Sequence, residues 1–236
     1  MIAPKRPESL ADAKRLMWAL ALWNEEHRHV DRLCFDTISN NDLIATTVGE
    51  NQILLNLNWQ GCLSLADLLL RLAVSDRDGE HVHANPGVEL ALWSEQTAFY
   101  FMPLDGDLPA ADHVASLDVL INPWPLDIFR RMEAFLQFDY RYREVEIVGN
   151  QLGLRVLASR LVDMAISGRP DQTQMILTPG AQLDEESFEA RIRLVSLGWD
   201  EHIAMLPAES VARFPRWAKD DLASFRSIWD ARRAGG

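Results

Sequence analysis

The chain carries an internal repeat, and this feature constrains its fold more than any other. The segment 63–72 aligns without a gap on 152–161, with five identities that include Arg71 and Arg160. A second pair of segments, 81–87 and 174–180, shares a terminal Pro-Gly. Each copy is predicted to contain a strand, a helix and two strands within roughly 50 residues. One helix over three strands leaves a thin core, so two such units are expected to pack together.

The predicted fold class is therefore α+β, with two βαββ units that form one or more sheets and helices packed on one face. Helices at the N- and C-termini are expected to complete the burial. The predicted division places the first unit and an acidic connection in 1–125. The second unit, with a helix before and after it, occupies 126–236. Both parts are expected to form one compact, pseudo-repeated domain.

Local signals place the individual elements. Ser9 is a predicted N-cap for the first helix, and Asn150 for the helix of the second unit. The run 64–67 resembles a capping box and predicts a helix start in the first unit. Strands are also predicted at 43–48 and 52–59, at 144–147 and 172–177, and at 189–195. Alternating segments at 88–93 and 97–102 predict a hairpin. Pro125 is predicted to begin a helix that ends near Phe138.

The excess negative charge is concentrated in one stretch. The chain has 23 Lys plus Arg and 35 Asp plus Glu, a net charge of −12. The stretch from Asp36 to Asp127 holds 14 acids and two bases, and the remaining residues balance. Such a field repels nucleic-acid phosphates and speeds encounter with a cationic partner. Binding of nucleic acid is therefore disfavoured, although an acidic surface also serves solubility alone.

Catalytic and metal-binding patterns are weak. His81 and His83 would point to one face of a strand, as a metal site requires, but no further ligand motif supports them. Cys34 and Cys62 lack the spacing of a metal site or a disulfide framework, and no nucleophile or phosphate-loop motif is present. The sequence thus predicts no enzyme activity, no cofactor and no metal. No segment is apolar enough to span a membrane, and a cytoplasmic protein is expected.

The second unit resembles a known family. The run 145–155 (VEIVGNQLGLR), the helix that follows it, the run 177–187 (LTPGAQLDEES) and the strand after it are similar to the immunity protein 32 family of bacterial polymorphic-toxin systems. The resemblance is clearest over 144–195, and His81 to His83 with Pro86 to Leu90 resemble the middle of the same family. This resemblance implies a protein that binds a toxin and blocks it, without catalytic residues.

The predicted function is that of an immunity protein or antitoxin-like inhibitor that occludes a cognate, basic toxin. Its expected interface combines acids near the first helix and in the long connection with one loop aromatic: Asp76, Asp78, Glu80, Asp105, Asp107, Asp112 and Trp124. Three alternatives stay open. They are an acidic adaptor or secretion chaperone, a metal-dependent enzyme that uses the His-x-His pair, and a mimic of nucleic acid that presents carboxylates in place of phosphates.

Overall fold

A computed structural model describes residues 5–17, 38, 41–75, 79–86, 90, 94–103 and 134–198. It contains eight strands and two long helices in these ranges, besides a helical segment at 10–17. The first group is β1 (Ile44–Val48), β2 (Gln52–Leu57), α1 (Trp59–Ala73), β3 (His81–Ala84) and β4 (Gln96–Phe101). The second is β5 (Leu136–Arg141), β6 (Glu144–Gly149), α2 (Gln151–Ser167), β7 (Gln174–Leu177) and β8 (Glu189–Leu194).

The chain is therefore an α+β protein whose repeat unit is one strand longer than predicted. Each unit is a hairpin, a helix and a second hairpin, since β1 precedes β2 and β5 precedes β6 as antiparallel partners. The similarity of the two units extends to the connections before β4 and β8. Each connection contains an isolated β-bridge, between Pro86 and Leu90 in the first unit and between Pro179 and Leu183 in the second. The shared Pro-Gly segments thus lie at equivalent positions, as the sequence predicts.

The two units exchange hairpins to build two mixed four-stranded sheets. The first sheet has the order β1-β2-β8-β7, and the second has the order β3-β4-β6-β5. At the centre of each sheet a strand of one unit pairs in parallel with a strand of the other, β2 with β8 and β4 with β6. Each sheet therefore contains the opening hairpin of one unit and the closing hairpin of the other.

Backbone hydrogen bonds also join the two sheets at their edges. The amide of Glu95, just before β4, donates to the carbonyl of Thr46 in β1 at 3.0 Å. The equivalent bond runs from the amide of Phe188, just before β8, to the carbonyl of Phe138 in β5 at 2.8 Å. These bonds occupy part of the edges of β1 and β5, which would otherwise offer unpaired backbone groups to other chains.

Two identical Asn-Gly arrangements begin the helices. Asn58 Oδ1 accepts from the Gly61 amide at 2.8 Å and from the Leu43 amide at 3.0 Å. In the second unit Asn150 Oδ1 accepts from Gly153 and Phe135 at the same two distances. Each cap thus satisfies a free amide of the first helical turn and also ties the helix to the residue that precedes the opening hairpin. The predicted cap at Asn150 is confirmed.

The cap at Asn58 corrects two predictions for the first unit. Its helix begins at Trp59, so Ser64 lies inside it, and the predicted capping box is wrong. Ser64 instead donates a short hydrogen bond to Asp42. Because the caps fix the register, the alignment of 63–72 on 152–161 is displaced by three residues. A displacement of three residues is close to one helical turn, so the leucines of one segment still align with leucines of the other. Arg71 has Asp163 as its counterpart, not Arg160.

The core is one continuous cluster formed by both helices and the inner faces of both sheets. Every residue of α1 after Trp59 is buried, and so are most residues of α2. Burial of α1 includes the ion pair between Arg71 Nε and Asp67 Oδ2, which are 2.8 Å apart with side chains at most 3% exposed. Removal of one partner would destabilise the fold by more than the intact pair stabilises it, because the remaining charge would stay buried.

Two further predictions are corrected. The helix predicted from Pro125 to about Phe138 conflicts with β5, which begins at Leu136, and the rest of that segment lies outside the described residues. The hairpin predicted between 88–93 and 97–102 is also wrong, because β4 pairs with β3 and β6. A residue pattern of period two identifies a strand but not its partner, which explains this error. The predicted C-terminal helix lies outside the described residues.

Candidate interaction surface

The outward side of the second sheet carries several polar and charged side chains. In β3 and β6 buried residues alternate with exposed or half-buried ones, and the strand pairing places every second residue of β4 and β5 on the same side, where Ala98 and Asp139 are buried. We call this side the acidic face. Its members are His81 and His83 in β3, Gln96, Ala98 and Tyr100 in β4, Glu144, Glu146 and Val148 in β6, and Gln137, Asp139 and Arg141 in β5.

A cluster of three aromatic rings lies on the β3 side of the acidic face. The ring of His81 stacks on Tyr100 with centroids 5.1 Å apart and an interplanar angle of 15°. The ring of His83 meets His81 edge-on, also at 5.1 Å. Nδ1 of His83 lies 2.7 Å from Glu144 Oε1, although Glu144 belongs to β6 and β4 runs between them. The small side chain of Ala98 leaves room for this contact across the strand.

Three carboxylates lie close together on the β5 and β6 side. Asp139 is opposite Glu146 in the antiparallel register, and Glu144 is the next outward residue along β6. Burial raises the pKa of Glu146, and the charges of Asp139 and Glu144 raise it further, while Arg141 opposes them. Arg141 Nε lies 2.5 Å from Asp139 Oδ2 and compensates part of this charge. The three carboxylates outnumber the one arginine on these two strands, and this balance of charge favours a cationic partner.

A tight turn ends the acidic face between β5 and β6. Tyr142 and Arg143 form its two central positions, and both have positive φ, 54° and 68°. Asn and Gly are the usual residues in such a turn, because they tolerate this backbone conformation. The Tyr142 side chain nevertheless points into solvent and is 96% exposed. An exposed tyrosine and two arginines thus stand at the edge of the carboxylate group.

The matching side of the first sheet has the opposite character. Its β8 strand presents Glu189, Arg191 and Arg193 outward, opposite Gln52, Leu54 and Asn56 in β2. Glu189 accepts hydrogen bonds from Arg191 Nε at 2.8 Å and from Gln52 Nε2 at 2.6 Å, and these bonds lower its pKa. The pseudo-symmetry of the fold therefore does not extend to surface charge, and the acidic face is specific to one sheet.

Of the interface residues predicted from the sequence, the structure describes Glu80. It is half-buried directly before His81, and its carbonyl accepts from the Phe101 amide at 2.9 Å. Glu80 therefore adjoins the end of the acidic face at which β3 begins. The other six lie outside the described residues: Asp76, Asp78, Asp105, Asp107, Asp112 and Trp124.

The acids of the face itself were not among the predicted site residues. The alternation of Glu144 and Glu146 with apolar residues does indicate a half-buried strand with its acids outward. What the sequence could not indicate is the pairing of β6 with β4 and β5, which places them beside His83 and Asp139. Tyr142 between two arginines, where a turn residue is usual, is the signal that sequence reasoning overlooked.

The described residues offer little for catalysis. His81 and His83 share a face, as predicted, but no group of three or more His, Cys, Asp or Glu among these residues could hold a metal ion. Cys62 is fully buried in α1, and burial raises the pKa of its thiol well above the ordinary range. A thiol in this state is a poor nucleophile. No described helix is long and apolar enough to cross a membrane.

One family model matches part of each unit. The model of the family described as immunity protein 32 matches the chain over residues 53–96 and 144–196. One matched segment falls in each structural unit. The first matched segment runs from β2 to the start of β4, and the second from β6 past the end of β8. No curated protein and no solved structure matches the chain.

Each matched segment therefore lies within one structural unit. Both segments contain the Asn-capped helix and leave out β1 and β5; the second includes β6 and β8 completely, whereas the first stops at the first residue of β4. The resemblance predicted from 144–195 is confirmed, and the match in the first unit extends it. Members of such families are typically inhibitors without enzyme activity, and the family implies a toxin-neutralising role with a cognate toxin as partner.

Proposed function

We propose that this protein binds a cognate toxin in the cytoplasm and neutralises it by covering its active site, without chemical catalysis. The immunity protein 32 match in both units is the observation that carries this proposal. The acidic face supports it, because the outward sides of the two sheets differ in charge. In the first sheet β8 presents two arginines and one glutamate, whereas in the second sheet β5 and β6 present three carboxylates and one arginine. Folding alone does not require this difference, because the two sheets share the same architecture.

The partner that fits the acidic face is a protein with a cationic surface. Asp139, Glu144 and Glu146 place three carboxylates on two neighbouring strands, against one arginine in the same strands. Complementary charge of this kind mainly accelerates encounter, whereas buried aromatic and hydrogen-bonded contacts slow dissociation. His81 and Tyr100, already stacked on each other, offer a flat aromatic platform for such contacts.

We further propose that the acidic residues named from the sequence extend this surface. Glu80 adjoins His81 at one end of the face, and Asp76 and Asp78 precede it in the chain. Asp105, Asp107, Asp112 and Trp124 follow β4, which lies at the centre of the same sheet. The combined surface would bring most of the net charge to one partner-binding region.

Growth rescue tests the proposed function. The chain is co-expressed with the toxin domain encoded beside its gene, and colony formation and complex formation are measured together. Rescue with a stable complex is the expected result. Complex formation without rescue would contradict neutralisation and match the adaptor alternative, and the absence of both would refute the proposal.

A pair of charge reversals tests the surface. In the variant Glu146→Lys the new ammonium group has two acids, Asp139 and Glu144, and one base, Arg141, as neighbours, so attraction exceeds repulsion and the fold is expected to persist. The matched control is Glu50→Lys, which makes the same change in net charge at an exposed turn of the other sheet. At low salt we expect association to slow by roughly tenfold for Glu146→Lys and to stay within about twofold for the control. Equal rates for the two variants would refute steering by the acidic face.

A further inference from the structure

The β5–β6 turn combines backbone strain with an exposed aromatic side chain. Positive φ is uncommon for residues other than glycine, and it is least common for bulky side chains. Tyr142 and Arg143 both adopt it, at 54° and 68°. The Tyr142 ring gains little in return within the chain, since its side chain is 96% exposed.

The repeat shows that the fold does not require this turn. Glu50 and Asn51 occupy the equivalent positions between β1 and β2, where Gly49 pairs with Gln52 as Arg141 pairs with Glu144. Neither Glu50 nor Asn51 has positive φ. The same hairpin in the same sheet architecture is thus closed in the first unit without strain. Strain that the architecture does not require points to a function for the residues that carry it.

The chemistry of the turn matches that of a binding anchor. Tyrosine and arginine are the residue types, with tryptophan, that contribute most to protein–protein affinity when they become buried. Among the described residues Arg143 has no ion-pair partner, and Arg141 is paired with Asp139 while 56% of its side chain stays exposed. The two-residue turn places the Tyr142 ring beyond the ends of β5 and β6. A partner surface must therefore be concave to enclose the ring.

We propose that the Tyr142–Arg143 turn is the anchor of the complex, inserted into a concave site of the toxin. This inference rests on the proposed function and specifies its interface. The site that fits has an apolar wall for the ring and a carboxylate at its mouth for the Arg143 guanidinium. The acidic face, which ends at this turn, then lies against the cationic surface around that site. Because paired strands flank the turn on both sides, its backbone is restrained before binding, which reduces the entropy lost on binding.

The double variant Y142N/R143G tests the anchor, because it installs the residues that favour this turn and removes both side chains. Thermal unfolding and the dissociation constant with the adjacent-gene toxin domain are measured on the full chain. We expect the melting temperature to rise by about 2–4 °C, since the strain is relieved. We expect the dissociation constant to rise roughly 30-fold, as for loss of a strong anchor. Asn51→Ala, at the equivalent turn, is the control and should change neither.

The outcomes separate this inference from the proposed function. If the wild-type chain binds and rescues, and the double variant binds within about twofold of it, the anchor is refuted while the proposed function stands. A lower melting temperature for the double variant would refute the strain argument. If the wild-type chain neither binds nor rescues, the proposed function fails, and the anchor fails with it. A single variant, R143G, measures the arginine alone and is expected to retain part of the affinity.

Discussion

The glycine in the first turn of each helix provides a sharp test of the fold. A methyl group added at Gly153 would lie 2.0 Å from the carbonyl oxygen of Phe135, and one at Gly61 would lie 2.1 Å from that of Leu43. The nearest atoms belong to the backbone, so no side chain can rotate to make room. The helix must therefore move away from the strand that it approaches, or the strand must move with it.

The magnitude follows from this geometry. Overpacking of a core typically costs about 1–3 kcal/mol, and a clash with fixed backbone belongs at the upper end of that range. Displacement of the helix also weakens the hydrogen bonds that Asn150 accepts from Gly153 and Phe135, which adds roughly 1–2 kcal/mol. Alanine recovers about 1 kcal/mol through its better helix propensity. We expect Gly153→Ala to lower the free energy of unfolding by about 3 kcal/mol.

Gly49→Ala is the matched control. The nearest atom to a methyl group at Gly49 would be the Gln52 carbonyl oxygen at 3.7 Å, an ordinary contact. Its effect is expected to stay within about 1 kcal/mol in either direction. Denaturant titration gives both values, and Gly61→Ala should behave like Gly153→Ala. A loss below about 1 kcal/mol for Gly153→Ala would refute the close approach of helix and strand.

Three further predictions follow from buried or charged groups. Asn58→Ala and Asn150→Ala each remove a cap that two amides share, so each should lower the free energy of unfolding by about 2–4 kcal/mol in denaturant titration, whereas a loss under 0.5 kcal/mol would contradict the capping role. Burial raises the pKa of Glu146, so the folded state disfavours its charged form. Glu146→Gln should therefore stabilise the protein at neutral pH, with a benefit that disappears as the pH falls below about 4.5, and equal stabilities at pH 7 would be evidence against it. In a Cys34→Ser background, Cys62 should react with a thiol reagent only when the protein unfolds, and fast labelling of the folded protein would contradict its burial.

Several elements could be predicted from the sequence because their signals are local. β6 and β8 show strict alternation, and Asn150 stands where a helix cap is expected. The start of α1 was missed because the alternation of Ile53, Leu55 and Leu57 continues to Trp59, so the strand pattern runs past Asn58 into the helix. The run at 64–67 resembles a capping box but lies inside the helix. Ser64 does not cap a helix there, because its hydroxyl donates a hydrogen bond to Asp42, which is distant in sequence.

The candidate surface divides in the same way. The outward direction of His81 and His83 and of the β6 acids follows from the period of two in a strand. The contact of His83 with Glu144 does not, because it depends on the order of strands in the sheet. The positive φ of Tyr142 and Arg143 is also invisible in the sequence, which contains no glycine or asparagine at this turn.

The sequence alone determined that the protein is built from two related α+β units with an excess of negative charge, and that the second unit resembles the immunity protein 32 family. Short-range signals carry this information: caps, alternation and runs of similar residues. Only the tertiary structure decided that the units exchange hairpins, so that β2 pairs with β8 and β4 with β6. A strand pattern specifies which face is buried but not which neighbour completes the sheet. That choice depends on packing both helices into one core, and it is what brings the acidic face together.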